Sequence, residues 1–272
     1  MQSNLVKALK LRHNPVALIW SDEKPADAKQ FASAKWGCVM MLFAQTAARG
    51  KTAVFDRETF GCFGGGVGLG FGNQYENFDG GMDGFCHFLS IGNNQWETGR
   101  EYIAGSKYYS EISPDDNFVH GERYLKSPKT TRKFVEGLPI INIPTKYVIF
   151  KPLSEVDENK ADVKVVIFPV NPHQLSALII LANYTNPRHD KVIAPFCAGC
   201  QSVGIMPLAE IDQEHPRAII GMSDISARNY TKKTLGNDVM TFAIPLKMFH
   251  TIDQHVKDSF LEKSSWTKLI NQ

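Results

Sequence analysis

Ten of the 21 glycines, at positions 61, 64, 65, 66, 68, 70, 72, 80, 81 and 84, fall between Gly61 and Gly84. Glycine reaches positive φ and close backbone approach that other residues avoid, and it loses the most freedom on folding. The stretch from Asp56 to Gly84 carries no helical or alternating apolar period, only Gly, Asn, Asp and aromatics. It is therefore expected to be a long glycine-rich loop with at most a short helical piece.

A loop of this kind invites a nucleotide-binding reading, and the residues exclude it. From Gly64 to Gly72 no start position satisfies G-x-G-x-x-G, and no Gly-Lys-Ser/Thr follows. A flat or anionic small molecule against the backbone of Gly64, Gly65, Gly66 and Gly68, walled by Phe63, Phe71, Tyr75 and Phe78, stays open. So does close packing with no ligand at all.

Elsewhere the pattern alternates helix and strand. Ser3 to Leu11 reads as a capped amphipathic helix, Pro15 to Trp20 as a buried strand, and Gly37 to Ala48 as a helix ended by Gly50. Thr52 to Phe55, Tyr147 to Leu153, Val163 to Phe168, Ala218 to Gly221 and Val239 to Ile244 read as strands, and Lys191 to Ala194 leads into Pro195 to Cys200. Phe85 to Ile91, Tyr102 to Tyr109 and Pro128 to Glu136 are helix candidates, the last framed by Ser127 and Gly137. Asn171-Pro172 caps a helix reaching Tyr184, which suggests a βα unit, and Pro245 opens a final helix. The expected fold is α/β or α+β, a mixed sheet flanked by helices. One domain over residues 1–272 is expected, with a subdivision near 140–146 as the alternative.

The chemistry lies in the five cysteines, 38, 62, 86, 197 and 200. Cys197-Ala198-Gly199-Cys200 presents two sulfurs to one side of a turn, the spacing a thiolate metal site uses. No second close pair accompanies it, so zinc is disfavoured and further ligands must come from distant segments. Cys38, at a helix start, and Cys62, opening the glycine run, complete a four-thiolate set suited to an iron–sulfur cluster. The plainer reading makes all four small core residues. Cys86, among Phe85 and Phe88, reads as core, and Asp83 and His87 as a helix-surface pair. Asp115-Asp116 and Asp157-Glu158 are expected on solvated turns.

Thirty basic against 28 acidic residues, and a basic run of only Lys129 to Lys133, leave no case for nucleic acid. No apolar run approaches the roughly 20 residues of a membrane span, and Met1 to Trp20 lacks a secretory pattern. Reduced cytoplasm is the expected compartment.

Several segments together resemble the domain-of-unknown-function family 169. They are Cys38 opening an Ala-rich helix that ends at Gly50, Cys62 opening the run that closes at Leu69-Gly70, and Phe168-Pro169-Val170-Asn171-Pro172-His173-Gln174. Ser223-Asp224-Ile225-Ser226-Ala227-Arg228 before Phe242-Ala243-Ile244-Pro245 adds to them. The resemblance spans Leu5 to Val256 and implies a prokaryotic, cytoplasmic α/β protein with Cys38 and Cys62 on the family's cysteine positions. Three functions follow as expectations. The first is a thiolate-metal or iron–sulfur protein with a redox or Lewis-acid role, served by a redox partner. The second is a non-catalytic module binding a small molecule at Gly64 to Gly72. The third is an enzyme using Cys62 as a thiol of lowered pKa. Whether the chain is an enzyme, and its oligomeric state, the sequence leaves open.

Overall fold

The computed structural model describes residues 1–106, 116–187 and 189–271. In chain order the elements are α1 (Asn4–Leu9), β1 (Val16–Ser21), α2 (Val39–Arg49), β2 (Ala53–Phe55), α3 (Phe63–Leu69) and α4 (Gly81–Leu89). Then come α5 (Glu97–Gly105), α6 (Asn117–His120), α7 (Pro128–Glu136), β3 (Tyr147–Pro152), β4 (Asp162–Val170), α8 (Pro172–Ala182) and β5 (Val192–Ile193). The chain ends with α9 (Gly199–Val203), α10 (Ile205–Leu208), β6 (Ala218–Gly221), α11 (Ile225–Leu235), β7 (Met240–Pro245), α12 (Leu246–Gln254) and α13 (Ser264–Ile270).

These fall into two compact units, Met1–Gly72 with Ile141–Gln272, and Asn73–Ile140. The first holds a mixed sheet in the order β2-β3-β1-β4-β7-β6-β5, antiparallel throughout except for the β5–β6 pair. Strand alternation splits its core in two. Ile149, Val166, Phe168, Phe242 and Ile244 face one side, packed with Leu5, Leu178 and Phe249 of α1, α8 and α12. Val148, Phe150, Val165, Ile167 and Ala243 face the other, packed with Phe43, Leu69, Cys200 and Ala227 of α2, α3, α9 and α11. The expected mixed sheet flanked by helices is therefore observed.

Caps set the helix boundaries. Ser3 accepts from the Val6 N–H, Ser127 from Thr130, and Asn171 and Gln174 form a reciprocal capping box. Gly50, at φ 66°, ends α2.

The segment expected as one long glycine-rich loop is broken up by helix. The run from Phe63 to Leu69 is helix α3, with Gly65, Gly66 and Gly68 buried in it and Gly70 as its left-handed C-cap. Glycine lowers helix propensity by about 1 kcal/mol relative to alanine, so the sequence reads as loop. Tertiary packing overrides that preference here.

The second unit is helical in its described residues. Tyr75 stacks on Phe85 at 3.8 Å, and Phe78 packs against Phe88 and Phe118. Cys86 is buried in α4, pushed up to about 11 by burial. His87 does not pair with the Asp83 carboxylate, which binds Arg132; its ring bonds the Asp83 carbonyl at 2.8 Å and stacks on Trp96. The helix expected over Tyr102 to Tyr109 is α5, set several residues earlier; residues 107–109, and Asp115, lie outside the described residues.

Candidate functional site

Four thiols and one carboxylate gather on the α2–α3–α9–α11 side of the sheet. Cys38 is the N-cap of α2, Cys62 the N-cap of α3, and Asp224 the N-cap of α11. Cys197 precedes α9 and Cys200 lies in its first turn.

Glycine makes the approach of these helix starts possible. A Cβ on Gly61, whose φ is +81°, would stand 2.2 Å from the Gly37 carbonyl oxygen. The residues just before Cys38 and Cys62 are thus pressed backbone to backbone. A Cβ on Gly68 would stand 2.7 Å from the Cys200 carbonyl carbon and 2.9 Å from its sulfur. Helix α3 is glycine-rich on the face it turns to α9, and a side chain there would hold the two apart.

The polar contacts follow from this packing. The Gly65 N–H donates to Cys62 Sγ at 3.2 Å, and Cys200 Sγ donates to the Gly64 carbonyl at 3.1 Å. The Asp224 carboxylate accepts the Ala227 N–H at 2.6 Å and the Gly199 N–H at 2.5 Å, so one side chain caps α11 and holds the turn between Cys197 and Cys200.

Electrostatics ties the five groups into one site. Burial and then the Cys62 charge push Cys38 up to about 12. Burial followed by Asp224 pushes Cys197 up to about 12. Cys200 lies well above the ordinary thiol range through burial, with Cys62, Cys38, Asp224 and Cys197 each adding to it. Burial raises Cys62 as well, against the lowering by the Gly65 and Gly64 N–H groups. The lowered Cys62 pKa expected of a thiol nucleophile is therefore not found, since desolvation outweighs the backbone dipoles. Asp224 is also raised, by burial, and its charge opposes ionisation of all four thiols.

Cys38, Cys62, Cys197 and Cys200 are free thiols brought together from distant segments, with Cys86 in the other unit. Gly64 and Gly65 touch the thiols through their backbones, and the space beside Gly65 and Gly68 is filled by Phe60, Val39 and Cys200. Among the described residues, no three His, Cys, Asp or Glu side chains are set to hold one metal ion.

The sequence motifs do not mark Asp224 as a site residue. The local signals that bear on it are the cap residues, Asp224 before α11 and Gly236 after it, because the buried stripe between them is only weakly apolar.

Among the described residues no helix is long and apolar enough to cross a membrane. Residues 4–255 match the family described as DUF169, uncharacterised ArCR. No curated protein and no solved structure matches the chain.

Proposed function

This chain belongs to the DUF169 family, and from its site we propose that Cys38, Cys62, Cys197 and Cys200 hold an iron–sulfur cluster with a redox role. The observation that carries the reading is the position of Cys200, whose sulfur donates to the Gly64 carbonyl at 3.1 Å, next to the Gly65 N–H that donates to Cys62 Sγ, and whose ionisation the other thiols and Asp224 oppose. Desolvated thiols that disfavour one another's charge are poor nucleophiles at neutral pH. They are suited to a cationic centre, which neutralises the thiolates and displaces their protons.

A multinuclear centre fits this set better than a single ion. Four sulfurs at about 2.3 Å from one zinc stand close together in a tetrahedron. Ligands to a cluster bind different irons and stand wider apart. Among the described residues no three His, Cys, Asp or Glu side chains are arranged to hold a metal ion, so the cluster reading rests on the charge of Cys38, Cys62 and Cys197 acting on Cys200 and that of Cys62 acting on Cys38. The Gly65 N–H, already directed at Cys62, and the backbone around Gly64 would lie beside the cluster, where N–H groups tune its potential.

A reducing, cytoplasmic location belongs to this reading, because the thiols must stay free. Anaerobic purification and reconstitution with iron and sulfide tests it. Bound iron and acid-labile sulfide that disappear in Cys62→Ser support it, and a colourless, metal-free chain overturns it.

A further inference from the structure

We propose that an acidic one-electron carrier protein docks on the surface around the thiol site, an inference that rests on the cluster reading above. Trp36, Phe196 and Ile225, large apolar residues exposed at 62%, 51% and 61%, stand in sequence beside Cys38, Cys197 and Asp224. Tyr230 of α11, also exposed, stacks against Trp36 with ring centroids 5.3 Å apart, tying the segment before Cys38 to α11. Exposed aromatic groups at an electropositive rim are the anchors of a protein interface.

Charge selects the partner. The outward side of α11 carries Lys232 and Lys233, both exposed, and Lys35 precedes Trp36. Phe31 to Gly37 and Ile225 to Leu235 carry the exposed Lys35, Lys232 and Lys233 and no acidic residue; Arg228 is turned to the carbonyls of Met222, Asn237 and Val239, Asp224 is bonded to the N–H groups of Gly199 and Ala227, and the exposed Asp238 follows α11. A rim of this sign favours a negatively charged partner and raises its association rate. In the step assigned to it, the reduced carrier loses one electron and the cluster gains one; no bond is made or broken.

Two experiments with a reduced plant-type ferredoxin and a flavodoxin as acidic probes separate docking from cluster chemistry. In stopped-flow mixing with the reconstituted protein, reduction is expected to slow with added salt. It should slow about tenfold or more in the K232E/K233E variant, while reduction by dithionite stays unchanged. In calorimetric titration of the unloaded protein, the same variant is expected to weaken carrier binding about tenfold. Binding to an unloaded chain that never takes up a cluster supports the docking surface and overturns the cluster reading. A loaded protein that binds neither carrier, binds them equally well after charge reversal, or self-associates through Trp36 overturns the docking proposal.

Discussion

The Cys200 thiol donates to the Gly64 carbonyl oxygen at 3.1 Å, linking two segments 136 residues apart. The contact exists because Gly68, one helical turn on, has no side chain where the Cys200 backbone and sulfur lie. The cysteines of this site and the glycines beside them are one packing arrangement.

Gly68→Ala should therefore destabilise the chain although alanine is the better helix former. A gain of about 1 kcal/mol in propensity is set against overpacking that costs about 1–3 kcal/mol. The added Cβ meets backbone at 2.7 Å, which cannot swing away as a side chain end can. Urea unfolding should show a lower midpoint with unchanged slope, and reconstituted iron should fall with it. A variant as stable as the parent would show that α3 and α9 separate freely.

Asp224 should be separable into its two roles. Asp224→Ala removes the cap of α11 and the acceptor for Gly199, at a cost of about 1–2 kcal/mol. Asp224→Asn keeps an acceptor and removes the charge. Since that charge is second only to burial in raising Cys197, alkylation of Cys197 between pH 8 and 10 should quicken in Asp224→Asn. Unchanged labelling would mean the carboxylate does not act on that thiol.

The metal-free chain should lose stability at alkaline pH. Cys38 and Cys197 stay protonated to about 12 when folded, whereas an unfolded thiol ionises near ~8.5. Above that value the unfolded chain binds fewer protons, so stability falls as pH rises from about 8.5 towards 12. By pH 10 each thiol accounts for a loss of about 1–2 kcal/mol. Urea titrations at pH 8 and 10 of the parent and the Cys38→Ser/Cys197→Ser variant check this, with a smaller loss expected in the variant.

The sheet and its long helices are legible because their signals are local. Ser127-Pro128 with Gly137 frames α7 to the residue, and Asn171-Pro172 marks the start of α8. Cys38 and Gly50 bounded α2. What stayed hidden surrounds the site. Helix α3 has the composition of a loop, and its glycines pack against α9, a segment more than 100 residues later in the chain. Helix α11 buries Ala227, Thr231 and Leu235, a stripe too weakly apolar to stand out. The four site cysteines were legible as residues, and their convergence was not, because no local rule relates Cys62 to Cys200.

The central claim is tested most directly by counting iron and acid-labile sulfide per chain after anaerobic reconstitution, in the parent and in five single Cys→Ser variants. The account predicts iron and sulfide in similar amounts in the parent, visible absorption, and loss of both in Cys38→Ser, Cys62→Ser, Cys197→Ser and Cys200→Ser. Cys86→Ser, in the other unit, should retain them. A parent that stays colourless and metal-free, or an iron content untouched by Cys62→Ser and Cys200→Ser, would contradict it.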